Sequence, residues 1–412
     1  MIKKIIEWMH GRGRKIVSAI VIATALCIVI SYFLVERDGK WGKHSEPIPT
    51  NDVDLYVGGD SLGPANTEKS VATGKSVSKN EPSANNMSLK LSNAGSQDIT
   101  LGFAGDICLD EKTDVMKHMR KKGGISMVID KRLIKKMKAY DYMFLNNEFS
   151  ISDRGTPMPG KAFTFRARSK NVSILKGLGV DGVSLANNHV FDYGRSAFMD
   201  TLKYLKRADI KYVGAGKNSK EASKPLYINI KGKKIAVVSA TRAEKYVLTP
   251  EAGKNSPGVF RTYDDKNYVK AIKKASKKAD YVIAYVHWGT EYSTTLESAQ
   301  VNQAKDYINA GADIVIGAHT HCIQGVGYYK NKPIFYSLGN YWFNSKTLYT
   351  TILKININSK GKITAVMQPC IQKGKETKLI RSKSGKKKFA KYINSISTNG
   401  RLDSNCNVMK KK

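Results

Sequence analysis

The chain has 412 residues and a formal net charge of +35, with 69 Lys and Arg against 34 Asp and Glu. That length suits one large domain or two ordinary ones, and 41% hydrophobic residues exclude a wholly disordered polymer. Five scattered cysteines are too few for a disulfide scaffold. The charge predicts an anionic partner, whether a nucleic acid, a membrane surface or an acidic polymer.

Residues 16–35 form an apolar run as long as a helix needs to cross a bilayer, about 20 residues. Five Lys or Arg residues precede this run, which predicts that residues 1–15 stay in the cytoplasm and that the chain beyond lies outside the cell. A cleaved signal peptide is the alternative, but no small-x-small pattern follows the run. We therefore expect a single-pass transmembrane signal anchor with an extracellular main domain.

The segments on either side of the predicted domain are polar or basic. Residues 36–98 are rich in Asn, Ser, Gly, Pro and Lys, which predicts a disordered extracellular spacer. We expect residues 371–412 to form a basic C-terminal tail, because the last forty residues contain 13 Lys or Arg and 2 Asp or Glu. A short amphipathic helix is expected near 386–393. The tail is either a solvated appendage or a polyanion contact.

Between residues 99 and 344 short apolar runs alternate with helical patterns. The predicted strands are 99–104, 142–145, 182–186, 235–239, 281–286 and 313–317. The predicted helices are 130–139, 172–178, 195–207, 266–278 and 297–310. A hairpin is expected over 349–357 and 362–368. This alternation predicts an α/β domain over residues 99–370.

Five of the predicted strands run into side chains that bind metals. The segments are Gly105-Asp106, Asn146-Asn147-Glu148, Asn187-Asn188-His189, His287 and His319-Thr320-His321. In open α/β sheets the functional crevice lies outside the carboxyl ends of the strands, so these side chains are expected to converge. Carboxylate, amide and imidazole groups together suit Mn, Fe or Zn. Their number predicts two divalent ions, which can activate a water at a phosphoryl or acyl centre.

At these residues the sequence resembles the CapA family of poly-γ-glutamate capsule synthesis proteins, a branch of the calcineurin-like metallophosphoesterase superfamily. The motifs occur in the expected order over residues 99 to 345: Phe103-Ala-Gly-Asp106, Asn146-Asn-Glu-Phe149, Val183-Ser-Leu-Ala-Asn-Asn-His189 with Asp192-Tyr-Gly194, Val213-Gly-Ala-Gly-Lys-Asn218, Val286-His-Trp-Gly289, Gly317-Ala-His-Thr-His321 and Tyr336-Ser-Leu-Gly-Asn340. The resemblance implies a four-layer αββα sandwich of the metallophosphoesterase type, preceded here by the transmembrane helix. It also implies a dinuclear metal centre at the strand ends.

The resemblance implies a role for each matching residue. His189 looks like the histidine that protonates the leaving group, and Glu148 stands where the superfamily has a bridging aspartate. His287 and His319 resemble ligands to one ion, and His321 resembles a ligand to the other. The positions expected to bind metal are Asp106, Glu148, Asn188, His287, His319 and His321.

Three departures from the superfamily pattern bear on activity. Cys108 stands where a metal-binding histidine is expected, Glu148 is one methylene longer than aspartate, and Val190 replaces an acid. Cys108 is either an ordinary buried thiol or a metal ligand. Lys161 and Arg166 are expected to bind an anionic substrate, with a solvated strand face as the alternative.

The resemblance implies a membrane-anchored, metal-dependent protein of poly-γ-glutamate capsule biosynthesis or export. Its expected partners are poly-γ-glutamate or another anionic wall polymer, and a capsule synthesis membrane complex. Nucleic acid is not expected, because the domain should lie outside the cell and carries no recognised reader motif. Two alternatives stay open: a non-catalytic polymer-binding export subunit, and a cell-wall metallophosphoesterase acting on teichoic-type phosphodiesters.

Overall fold

The computed structural model describes residues 98–244 and 248–411. The predicted cytoplasmic segment, the predicted signal anchor over 16–35 and nearly all of the predicted spacer lie outside these residues. None of the helices in the described part of the chain is long and apolar enough to cross a membrane.

The strands, numbered along the described chain, include every strand expected from the sequence. They are β1 (Ile99–Ile107), β2 (Tyr142–Asn147), β3 (Ser150–Ile151), β4 (Arg166–Ala167), β5 (Gly182–Ser184), β6 (Lys211–Val213), β7 (Ala215–Gly216), β8 (Leu226–Ile230), β9 (Lys233–Thr241), β10 (Gly258–Val259), β11 (Tyr281–His287), β12 (Ile314–Ala318), β13 (Val326–Tyr329), β14 (Lys332–Phe335), β15 (Asn340–Trp342), β16 (Leu348–Ile357), β17 (Ile363–Lys373), β18 (Glu376–Leu379), β19 (Gly400–Leu402) and β20 (Val408–Lys410).

The helices, numbered in the same way, begin and end close to the predicted boundaries. They are α1 (Asp114–Lys122), α2 (Lys131–Ala139), α3 (Val172–Leu178), α4 (Gly194–Arg207), α5 (Ser219–Ala222), α6 (Lys266–Ser276), α7 (Ser298–Asn309) and α8 (Lys383–Ile396). Local capping explains some of these boundaries. Asp130 caps α2 by accepting a hydrogen bond from the Arg132 backbone N–H at 2.8 Å, and Gly123 ends α1 in the left-handed conformation.

Two sheets dominate the described chain. The larger sheet has the order β18-β17-β16-β1-β2-β5-β6, with β15 also paired to β1. Strands β1, β2, β5 and β6 are parallel neighbours, whereas β16 joins β1 in antiparallel register. The second sheet has the order β13-β14-β12-β11-β9-β8. Its four central strands, β14, β12, β11 and β9, are parallel to one another. This mixture of parallel strands and crossover helices confirms the predicted α/β class.

Three apolar clusters fix how the elements pack. One cluster lies between the two sheets and contains Phe103 and Phe144 from the larger sheet with Tyr285 from the second. A second cluster packs helices α1 to α4 on the larger sheet, and a third packs α6 and α7 on the second sheet. Helices therefore cover the outer faces of two sheets that share an interior core.

Residues 371–411 are folded into the domain, which corrects the expectation of a tail that begins after residue 370. Strand β18 pairs with β17 in the larger sheet, and α8 places Phe389 and Ile393 in the cluster between the sheets with no exposed surface. Phe389 packs edge-to-face on Tyr349, with ring centroids 5.4 Å apart. The lysines that dominate the composition are the polar face of this amphipathic helix, and composition alone hides its apolar face.

A glycine fixes the exit of β1 toward the carboxyl ends of the sheet. The backbone passes so close to Gly339 that a Cβ on Gly105 would lie 1.7 Å from the Gly339 carbonyl oxygen. The next residue, Asp106, donates its backbone N–H to that same carbonyl at 2.9 Å. Asp106 is thereby held beside Asn340 of β15, its partner in the parallel register.

Candidate metal centre

The structure brings the predicted ligands together at the carboxyl ends of strands from both sheets. Two sets of donors have their ligand atoms within 4.8 Å of one another: Glu148, His287 and His319 form one set, and Asp106, Glu148 and His321 form the other. All five side chains are buried. Glu148 belongs to both sets, as the position of a bridging carboxylate requires.

Glu148 faces three imidazoles through one carboxylate oxygen. Its Oε1 lies 3.7 Å from Nε2 of His287, 3.9 Å from Nε2 of His321 and 4.0 Å from Nε2 of His189. No hydrogen-bond donor in the described chain satisfies this oxygen, although it is fully buried. Since an unpaired buried carboxylate oxygen is costly, its surroundings point to a cation as its partner.

The second carboxylate, Asp106, is held by neighbouring polar groups. Its Oδ1 accepts a hydrogen bond from Nδ2 of Asn146 at 2.8 Å, and its Oδ2 lies 3.4 Å from Nδ1 of His321. Asn146 Nδ2 also lies 3.0 Å from Oε2 of Glu148, so one amide spaces the two carboxylates. Asn340 Oδ1 lies 2.8 Å from Nδ1 of His321 and orients that ring.

The loop after β12 carries two histidines in the left-handed backbone region. His319 has a φ of 96° and His321 a φ of 57°. Residues with a Cβ pay about 1–3 kcal/mol for such conformations, which persist where the surrounding structure enforces them, often at functional sites. Here the strained turn directs both imidazoles into the cluster, and Nδ1 of His319 is a buried nitrogen with no hydrogen-bond partner.

The remaining predicted ligand and the predicted proton donor share one turn after β5. Asn188 Oδ1 lies 2.8 Å from Nε2 of His287, at the edge of the first donor set. Nδ1 of the adjacent His189 lies 2.7 Å from Oδ2 of Asp192, which is completely buried. This carboxylate fixes the orientation of the imidazole. The ring of Phe165 covers His189, with centroids 4.5 Å apart.

Lys161, predicted to bind substrate, is instead held between acidic side chains. Its Nζ lies 2.8 Å from Oδ1 of Asp192 and 2.7 Å from Oε1 of Glu244. It also donates a hydrogen bond to the backbone carbonyl of Asn188. With 6% of its side chain exposed, Lys161 joins three loops around the centre. These contacts favour a positioning role.

Arg166, the other predicted substrate-binding residue, is also held by partners within the chain. Its guanidinium lies 4.3 Å from the centroid of the Tyr193 ring. It donates hydrogen bonds to the backbone carbonyls of Arg154 at 3.1 Å and Gly155 at 3.0 Å. These contacts fix the loop between β3 and β4. They also engage the guanidinium of Arg166 within the chain rather than with a ligand.

Cys108 is a buried thiol beside the centre. It has no exposed surface, and it belongs to neither set of donors in the described chain. Burial raises the pKa of its thiol well above the usual value. Of the two interpretations of Cys108, the structure favours the apolar thiol.

Burial and nearby charged groups shift the pKa values of the candidate ligands in opposite directions. Burial lowers the pKa of His287 well below its usual value and, with the neighbouring His321, lowers the pKa of His319 to about 3. Burial lowers the pKa of His321 as well, but the hydrogen bond and charge of Asp106 outweigh it and raise the pKa overall. Burial, followed by the charge of Asp106, raises the pKa of Glu148. Two imidazoles are thus neutral metal ligands, and Glu148 and His321 keep to higher pH the protons that a cation would displace.

These residues fit a divalent metal centre. Metal–nitrogen and metal–oxygen bonds of about 2.0–2.2 Å place two donors on one ion no more than about 4.4 Å apart. The separations of 3.7 and 3.9 Å from Oε1 of Glu148 to Nε2 of His287 and of His321 fall within this limit. Imidazole with carboxylate is the donor mixture of Mn, Fe and Zn sites.

Three residues of the site were not predicted as site residues. Asn146 lies between the two carboxylates, Asn340 orients His321, and Asp192 orients His189. All three belong to motifs visible in the sequence, which indicate a shared loop but not which atom a side chain touches.

The sequence of this region is similar to that of known proteins. A family model described as bacterial capsule synthesis protein PGA_cap matches residues 100–345. The capsule biosynthesis protein CapA of Bacillus anthracis is 31% identical over 278 residues, which cover 65% of this chain and 66% of that protein. The PGA biosynthesis protein CapA of Bacillus subtilis is 28% identical over 268 residues, which cover 64% and 69%. The chain thus spans about two thirds of the length of these relatives.

Two solved structures are also similar to this chain at low sequence identity. A phosphatase from Mycoplasma pneumoniae aligns with a TM-score of 0.43 and 13% identity, over 68% of this chain and 95% of that one. An NAD nucleotidase from Haemophilus influenzae aligns with a TM-score of 0.40 and 14% identity, over 75% and 64% of the two chains.

Proposed function

The chain belongs to the PGA_cap family of bacterial capsule synthesis proteins, and from that membership we propose that it acts in poly-γ-glutamate capsule biosynthesis or export. In this role it uses a divalent metal centre to act on, or hold, an anionic polymer. Its partners are poly-γ-glutamate or another anionic wall polymer and a capsule synthesis membrane complex. The proposal assigns the fold to the αββα metallophosphoesterase type.

One observation carries the metal-dependent part of the proposal. Glu148 is shared by two buried donor sets, and its Oε1 has imidazoles on several sides but no hydrogen-bond donor among the described residues. Asp106 with His321 would hold one ion, and His287 with His319 and Asn188 would hold the other. Ions bound there would supply an activated water and stabilise charge on a phosphoryl or acyl oxygen.

The residues of the chain supply the proton and the environment. His189 would donate a proton from Nε2 to the leaving group, since its Nδ1 is held by Asp192. Phe165 and Phe343 pack edge-to-face at 5.4 Å and cover His189 and His321, which limits the access of water to both rings. Lys161 keeps Asp192 and the Asn188 backbone in place.

The proposal also includes a location. A signal anchor over residues 16–35 would hold the main domain on the outer side of the cell membrane, where capsule polymer is made and exported. The support is the apolar run itself and the basic residues that precede it.

A non-catalytic polymer-binding subunit is the second candidate. It is favoured by Cys108, which occupies the place of an expected histidine ligand yet lies outside both donor sets. A site that binds ions without turnover would still stabilise the loops that face the polymer.

Hydrolysis assays separate the two candidates. The purified full-length chain, loaded with Mn²⁺, is tested on poly-γ-glutamate and on a chromogenic phosphodiester. Turnover of the polymer that depends on metal and on His189 supports the enzyme. Turnover of the phosphodiester alone favours a wall phosphoesterase. Metal binding without any turnover favours the subunit.

A further inference from the structure

A groove away from the metal centre is lined by five cations that form no ion pair within the described chain. It has a volume of about 980 Å³ and lies between α4 and the segment from β6 to β8. None of the residues of the two donor sets lines it. Its cations come from both walls: Lys203, Lys206 and Arg207 on α4, and Lys217 and Lys224 on the opposite side.

Two acids also line the groove, and the pKa of one of them, Asp200, is lowered by its hydrogen bond with Arg154 and, to a smaller extent, by the charge of the nearby Lys203. Asp200 is engaged by Arg154, whose Nε and Nη2 lie 2.8 and 2.9 Å from its two oxygens. Glu221 accepts a hydrogen bond from the backbone N–H of Lys217 at 3.0 Å. Within the described chain none of the five forms an ion pair. The groove therefore presents unbalanced positive charge to any ligand in it.

The floor of the groove is apolar between these cations. Leu202, Tyr212, Leu226 and Tyr227 line it and are buried or half-buried. A ligand with regularly placed negative charges on an apolar backbone would use both kinds of surface. The volume lies at the upper end of the range for ligand sites, about 300–1,000 Å³, and accommodates a short stretch of polymer.

We propose that this groove binds a linear polycarboxylate chain, as a holding site separate from the metal centre. The inference rests on the proposed function for the identity of the polymer, because poly-γ-glutamate carries one carboxylate and two backbone methylenes per residue. The cations would pair with the carboxylates, and the apolar floor would contact the methylenes. Phosphodiester polymers carry their charge within the backbone and match this arrangement less well.

The groove is connected along the chain to the loops that build the metal centre. One wall is α4, which begins five residues after His189. Arg154, which also lines the groove, lies on the loop that leads to Lys161. Strands β6 and β8, which flank it, are the edge strands of the two sheets. A chain held there would be tethered next to the loops that build the metal centre.

The test compares two charge-reversal variants of the full-length chain. The groove variant carries Lys203→Glu, Lys217→Glu and Lys224→Glu. The control carries Lys131→Glu, Lys135→Glu and Lys270→Glu, three lysines that are equally exposed, lie outside the groove and form no ion pair in the described chain. Both variants have the same net charge, and circular dichroism with bound-metal content checks that both are folded.

Binding of fluorescent poly-γ-glutamate is then measured at several salt concentrations. We expect the groove variant to bind about tenfold more weakly or worse and with a shallower salt dependence, while the control stays close to wild type. Equal losses in both variants, or no loss in either, would overturn the groove assignment while polymer binding itself stands. Tighter binding of a phosphodiester polymer would overturn the polycarboxylate. Absence of polymer binding by wild type would overturn the inference together with the polymer-holding part of the proposed function, while metal loading would still test the centre.

Discussion

Oε1 of Glu148 lies 3.7 Å from Nε2 of His287, and no donor in the described chain hydrogen-bonds to that oxygen. Nε2 of His287 also faces Oδ1 of Asn188 at 2.8 Å, whereas the Glu148 oxygen stays unsatisfied unless a third species joins it. The same oxygen faces His321 and His189. The cluster is therefore suited to a divalent metal, with Glu148 common to two sets of candidate ligands.

Replacing Lys161 by methionine is expected to destabilise the fold by about 3–5 kcal/mol, because Oδ1 of Asp192 and Oε1 of Glu244 would lose the cation that lies between them. Chemical denaturation of the full-length chain measures the effect. The exposed Lys170→Met should change stability by no more than about 0.5 kcal/mol. If Lys161→Met is as stable as Lys170→Met and only loses ligand affinity, Lys161 binds substrate and the positioning role is wrong.

His189→Ala is expected to lower turnover of the hydrolysed substrate by about 10²–10⁴-fold, the usual contribution of a positioned proton donor. Bound metal should be retained, because His189 belongs to neither donor set. Asp192→Asn should lower turnover as well, since it removes the carboxylate that holds the imidazole of His189 in position. Unchanged turnover in His189→Ala would remove this residue from the reaction.

Metal affinity should rise with pH. The raised pKa values of Glu148 and His321 mean that protons stay on these ligands to higher pH and must leave when a cation binds. Affinity is then lost as pH falls, by about tenfold per unit for each proton released. Titration calorimetry of Mn²⁺ in two buffers of different ionisation enthalpy counts those protons. Affinity that is independent of pH, with no proton release, would contradict the assigned ligands.

Phe389→Ala should cost about 3–5 kcal/mol of stability, because the ring is fully buried between the sheets and packs on Tyr349. The neighbouring Lys387→Ala, at an exposed position of the same helix, is the control and should be nearly neutral. Thermal denaturation compares the two. Similarly small losses of stability in both variants would contradict the finding that the C-terminal segment is part of the folded domain.

The sequence predicted the α/β class, the family and the meeting of ligands at the strand ends. These features depend on periodicity and motif order, which are local and visible. The C-terminal region was wrongly predicted as a tail because thirteen basic residues obscure the apolar positions Phe389 and Ile393 of one short helix. The contacts of Asn146 and Lys161 were not predicted either, since each joins segments distant in the chain.

The metal content of the purified full-length chain tests the central claim most directly. Mass spectrometry of Mn-, Fe- or Zn-loaded protein should find two ions per chain in wild type, one in His319→Ala and one in His321→Ala. Glu148→Gln, which keeps the shape but removes the shared charge, should lose both, while the exposed Lys135→Ala keeps both. Two ions retained in Glu148→Gln, or in the double variant His319→Ala with His321→Ala, would contradict a centre built on Glu148.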